Sequence, residues 1–82
     1  MSQAGILYIV PTPIGHLSDI TLRALDILKS VDYIAAEDTR HSQKLLKHYA
    51  ITQNMIALHD HNEAKQANYV MSLLASGNDI AL

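Results

Sequence analysis

Three interruptions of the apolar runs carry the side chains best suited to chemistry: Pro11-Thr12-Pro13-Ile14-Gly15-His16, Glu37-Asp38-Thr39-Arg40-His41 and His59-Asp60-His61-Asn62-Glu63. In the first, two prolines fix φ and remove amide hydrogens, while Gly15 permits backbone angles other residues avoid. The result is a stiff corner, set before any ligand arrives, which lowers the ordering penalty of binding. It is not a phosphate cradle, because Pro11 and Pro13 lack the amide donors such a cradle needs. A plain strand-to-helix turn is the competing reading. In the second cluster Glu37 and Asp38, like His16 of the first, are groups able to move a proton. Arg40, Lys44, Lys47 and His48 recur at spacings of three and four, a basic helix side with His41 near its edge. Such a side suits phosphates, and Arg40 can grip one bidentately. Against these stand structural roles: Asp38 or Thr39 as a helix cap, and Glu37 paired with Arg40.

The third cluster invites a metal reading through His59, His61 and the adjacent acids. Asn62 and Glu63 already make sense as helix-start residues, however, and no third or fourth ligand is set by spacing. Polar rim contacts without a metal are the expectation.

The elements that must position these clusters alternate regularly. Ile6–Val10 is bulky, largely β-branched and uncharged, which predicts a strand buried on both faces, as in a parallel sheet. A helix follows over 22–30, with Thr21 as N-cap and Ala24, Ile27, Leu28 and Val31 on its apolar side. Tyr33–Ala36 reads as an interior strand. Residues 40–49 form a second helix with Leu45, Leu46 and Tyr49 facing inward, and 55–58 a third strand. The third helix, capped by Asn62, has a predicted stripe of Ala64, Ala67, Val70, Met71 and Leu74, and Ser76-Gly77-Asn78 closes it in the left-handed manner. Met71 and neighbouring Tyr69 are expected in core or subunit contacts. Asp79–Leu82 begins a fourth strand. The order β-α-β-α-β-α-β predicts an open, mostly parallel α/β sheet with helices on both faces and right-handed crossovers. Loops at the carboxyl ends of such strands are where ligands bind.

Eighty-two residues make at most one domain, and a sequence ending on Ile80-Ala81-Leu82 reads as residues 1–82 of a larger first domain. The 49% hydrophobic content suffices for a core, and 17% charged residues argue against disorder. The absence of cysteine excludes disulfides and thiol catalysis within these residues. No apolar run reaches the ~18–20 residues of a membrane span and no basic leader opens the chain, so a cytoplasmic protein is expected. A net charge of −2 leaves any nucleic-acid contact to a local patch.

The series LYIVPTPIGHLSDITLRALDILKSVDYIAAEDTRHSQKLL, then Tyr49-Ala50-Ile51 and LHDHNE, resembles the amino-terminal portion of small-subunit ribosomal RNA methyltransferases in the tetrapyrrole-methylase-like family. The resemblance covers nearly the whole chain, and PTPIG and AAEDTRH are its specific segments. It implies methyl transfer from S-adenosylmethionine to a cytidine ribose 2′-hydroxyl in small-subunit ribosomal RNA. It further implies a truncated amino-terminal domain of a two-domain, homodimeric methyltransferase, inactive by itself. On this resemblance Pro11, Thr12, Pro13, Ile14 and Gly15 form part of the donor cleft. His16, Arg40, His41, Lys44 and Lys47 face the RNA substrate, and Glu37 is the candidate base. A ribose hydroxyl is a poor nucleophile, so a positioned base and an aligned donor both help.

Three positions depart from the family pattern. His16 stands where Asn is common, Ser42 where Thr is common, and Ala50 where Gly often follows the helix. A left-handed conformation at Ala50 would cost about 1 kcal/mol relative to Gly. Two alternatives remain. Methylation of a tetrapyrrole or another small molecule on the same scaffold is disfavoured by the single-glycine PTPIG loop. A non-enzymatic ligand-binding or dimerisation module complete at 82 residues is the other.

Overall fold

The computed structural model describes residues 3–11, 17–58 and 62–82. Four strands, β1 (Leu7–Tyr8), β2 (Tyr33–Ala36), β3 (Asn54–Ala57) and β4 (Ile80–Ala81), form one sheet in the order β1-β4-β2-β3. All three pairings are parallel. Between the strands lie α1 (Leu22–Ser30), α2 (Thr39–His48) and α3 (Glu63–Ala75), with a 3-10 turn at Leu17–Asp19 ahead of α1. The expected α/β architecture is therefore observed.

Side-chain alternation divides the core into two layers. Ile34 and Ala81 turn to one face with Val10, where Ala24 and Leu28 of α1 and Leu45 and Leu46 of α2 cover them. Ala35, Ile56 and Ile80 turn to the other, beneath Val70, Leu73 and Leu74 of α3. β2 is thus buried on both sides, as its unalternating Tyr-Ile-Ala-Ala run predicts.

Local chemistry sets the element ends. The Thr21 hydroxyl accepts from the Ala24 amide at 3.0 Å and starts α1. At its far end Gln53 Nε2 donates to the carbonyls of Leu28, Lys29 and Val31 at 3.0, 3.3 and 2.6 Å, satisfying acceptors a helix terminus leaves open. Asp38 caps α2, accepting from the Arg40 and His41 amides at 3.1 and 3.4 Å. Gly77 takes φ 95° while its amide reaches the Leu74 carbonyl and that of Asn78 reaches Leu73, a left-handed closure of α3. At the amino ends of the strands, Asp79 Oδ1 accepts from the Ile6 amide and Asp32 Oδ2 from the Asp79 amide, both at 2.8 Å. Gly5 passes so close to Asn78 that a Cβ there would overlap its carbonyl oxygen.

Three expectations need correction. β1 is an edge strand, with Leu7 44% and Ile9 70% exposed, not a strand buried on both faces. An uncharged run signals burial potential; which neighbours cover it is set by strand order. The stripe of α3 holds at Val70 and Leu74 but not elsewhere: Gln66 and Leu73 also turn inward, whereas Ala64, Ala67 and Met71, with neighbouring Tyr69, are exposed, Met71 by 65%. Asn62 Nδ2 and Gln66 Nε2 both donate to the Ala57 carbonyl, at 3.2 and 3.3 Å, and this polar anchor sets the phase of the helix. Asn62 accordingly occupies the N-cap position of α3 without making a side-chain cap bond.

Candidate active site

Parallel strands send all their carboxyl ends to one rim, and the two-layer arrangement decides what happens there. The loop leaving β2 turns to α2 on one face, whereas the loop leaving β3 turns to α3 on the other. Where neighbouring loops part in this way a crevice opens, the usual ligand position of open α/β sheets. A cavity of about 600 Å³ lies there. Its floor is apolar, built from Val10, Ile34, Leu45 and Ala81, and its rim is polar, built from Glu37, Asp38, His41, Ser42 and Glu63.

Glu37 follows β2 directly and is exposed, and among the described residues its carboxylate has no ion-pair partner, Arg40 included. The Asp38 carboxylate is engaged in capping α2. His41, half-buried in the first turn of α2, shares the cavity with both acids. Arg40, Lys44 and Lys47 are exposed on α2, outside the cavity. With ~1.5 Å of rise per residue, Arg40 and Lys47 are about 10 Å apart along the axis, a reach suited to successive phosphates. Lys47 also borders a shallow groove with Gln43, Thr52 and Asn54 near the start of β3. The structure therefore gathers Glu37 and His41 at the cavity and leaves the three cations on the adjoining helix surface. Pro11 is exposed just past β1. Thr12, Pro13, Ile14, Gly15 and His16 lie outside the described residues, as do His59, Asp60 and His61.

Glu63 is the rim residue that the sequence pattern left as a helix-start acid. Its position six residues after β3 on a parallel sheet was the available signal, since every strand's exit loop shares that rim. Ser42 and Leu58 carry no comparable signal.

A sequence profile for the tetrapyrrole (corrin/porphyrin) methylases matches residues 6–82. The chain belongs to this family. Among its relatives, the ribosomal RNA small subunit methyltransferase I of Vibrio cholerae serotype O1 is 62% identical over 79 residues, covering 96% of this chain. The protein of the same name from Escherichia coli O157:H7 is 58% identical over 81 residues, and that from Bacillus subtilis 52% identical over 81 residues, each covering 99% of this chain. The chain spans 27–28% of the length of these curated relatives. For a member of the tetrapyrrole methylase family, then, the parallel sheet and the crevice at its carboxyl rim are the parts on view.

Proposed function

We propose that this chain forms the amino-terminal wall of a site that methylates a cytidine ribose 2′-hydroxyl of small-subunit ribosomal RNA with S-adenosylmethionine. The observation carrying this reading is the crevice itself: a cavity of about 600 Å³ whose rim carries the Glu37 carboxylate, without an ion-pair partner among the described residues. It occurs in a chain 52–62% identical to three enzymes named as ribosomal RNA methyltransferases. The cavity's size falls within the range of small-molecule sites, about 300–1,000 Å³. Its aliphatic floor suits the faces of a purine, and Glu63 at the rim suits a cationic group, so the residues present fit the donor. Bound there, S-adenosylmethionine supplies an activated methyl group.

The chain's own residues do the rest. The Pro11–Gly15 corner stiffens one side of the cleft, and Glu37 takes the proton from the attacking hydroxyl. Arg40, Lys44 and Lys47, with His41 at the crevice and with His16, hold the RNA so that the ribose alone enters. This basic helix face favours a polyanion over a carboxylated ring, which separates the reading from tetrapyrrole methylation. The active protein is a cytoplasmic homodimer that needs no metal, and residues 1–82 are the first part of its first domain. Among the described residues, no helix is long and apolar enough to cross a membrane.

The test uses the chain extended at its carboxyl end to the length of the relatives, incubated with small ribosomal subunits and donor carrying a labelled methyl group. Label appearing on a cytidine ribose supports the proposal; label on a base, or on an added tetrapyrrole and not on RNA, refutes it. Residues 1–82 assayed alone are expected to transfer no label.

A further inference from the structure

A second concavity lies at the far end of α2 from the crevice. It is an open groove of about 750 Å³ between the last turns of α2 and the start of β3. Gln43, Lys47, Thr52 and Asn54 border it, over an apolar base that includes Ile51 and Met55. α2 connects the two concavities: His41 lines the crevice and Lys47 the groove, about 9 Å apart along the axis at ~1.5 Å of rise per residue. Bonds that leave the polar border untouched hold the groove in shape. The Ile51 amide donates to the Leu46 carbonyl at 2.8 Å, Ala50 turns the chain at φ 56°, and Gln53 is tied to the carbonyls ending α1. The side chains of Gln43, Thr52 and Asn54, by contrast, are exposed and make no hydrogen bond among the described residues. Three polar groups are thus offered on a preformed surface, where little ordering is needed on binding.

Charge indicates the occupant. Residues 39–59 hold three of the chain's six Lys and Arg, namely Arg40, Lys44 and Lys47, and none of its eight Asp and Glu. Among the described residues no carboxylate borders the groove, in a chain whose net charge is −2. A helix carboxyl end carries partial negative charge that repels phosphate. Here the Leu45, Leu46 and Lys47 carbonyls accept from the Tyr49, Ile51 and Ala50 amides, and the Lys47 ammonium adds a full positive charge. Side-chain amides such as those of Gln43 and Asn54 carry a donor and an acceptor side by side, the pairing that the edge of a base matches. In an RNA helix those edges are hard to reach, whereas an unpaired base presents both an edge and a face, for which the apolar base of the groove is suited. We propose that this groove takes an unpaired nucleotide of the RNA substrate, a few nucleotides from the ribose at the crevice, with Lys47 on its phosphate and Gln43 and Asn54 on its base. The RNA then follows α2, with Arg40 and Lys44 along its path. This assignment rests on the RNA reading above and extends it to a second point of contact.

The test measures binding of small ribosomal subunits, without methyl donor, to the chain extended with the remainder of the Vibrio cholerae relative. Gln43→Ala and Asn54→Ala together should weaken binding about tenfold. Gln43→Ala alone, an exposed change that favours the helix, should weaken it about threefold with no loss of stability. Asn54→Glu, which brings a carboxylate to the groove, should weaken binding at least as much as the pair. Ser72→Glu, exposed on α3 across the sheet, should leave it unchanged. Undiminished affinity in the double variant would overturn the proposal. So would equal losses from Asn54→Glu and Ser72→Glu, which bulk charge would explain. A benzophenone side chain at position 54 should cross-link to an unpaired nucleotide of the ribosomal RNA; cross-links confined to a ribosomal protein or to paired RNA would overturn the assignment. Because binding is read without donor, a failure of methyl transfer would sink the reaction proposed above while leaving each of these outcomes readable.

Discussion

Replacing the Glu37 carboxylate by an amide keeps its size and its place beside Ala36 but removes its capacity to take a proton. In the extended protein Glu37→Gln should lower kcat by about 10²–10⁴-fold while donor affinity, read by calorimetry, is retained. Loss of donor binding with little change in turnover of bound complexes would instead make Glu37 a cofactor contact. Ala50 poses a question of backbone energy. It is the one non-glycine residue with positive φ among those described, at 56°, as the family's frequent Gly at this position foretells. Ala50→Gly relieves the Cβ–carbonyl conflict but enlarges the entropy of the unfolded chain. The net expectation is a gain of about 0.5–1 kcal/mol in denaturant unfolding.

The functional side chains of α2 depend on how the helix is held at both ends. Asp38 caps its start and so spends on structure a carboxylate that could otherwise serve chemistry. Its apolar side, Leu45 and Leu46, faces the sheet and leaves Lys44 and Lys47 in solvent. Lys44→Ala is expected to weaken RNA binding and to reduce the slope of log affinity against log salt by about 1, with the fold unchanged. A loss of affinity that does not vary with salt would exclude a phosphate contact. The neighbouring helix on the same face is secured by a distant residue. Gln53 reaches three carbonyls at the end of α1, so Gln53→Ala should destabilise by about 1–2 kcal/mol without altering the m-value.

At the scale of the molecule, the order of elements and their ends were largely legible in the chain. Thr21, Asp38 and Gly77 each act within a few residues of their own position, and local chemistry of that range is written in the sequence. The phase of α3 was legible only in part, at Val70 and Leu74. Its inward side carries Gln66, placed there by a bond to Ala57, and its outward side carries Met71, so periodicity misjudged the stripe. The edge position of β1 escaped for a related reason, because Ile6–Val10 has the composition of an interior strand whatever lies beside it. The site divides along the same line. Glu37, Arg40 and His41 stood out by type and spacing, whereas that Glu63 shares one cavity with Glu37 emerged only once β2 and β3 were seen to release their helices to opposite faces.

What the amino-acid sequence determined by itself is the succession of strands and helices, the caps of α1 and α2 and the family to which they belong, because backbone preferences and capping bonds operate over three or four residues. What the tertiary structure alone decided is the order β1-β4-β2-β3, the open edge it leaves at β1 and the company Glu37 keeps at the rim. Strand partners such as Tyr33 and Ile80 are separated by the whole intervening chain. Hydrophobic periodicity tells a residue whether to be buried; the hydrogen-bond ladder tells it beside whom.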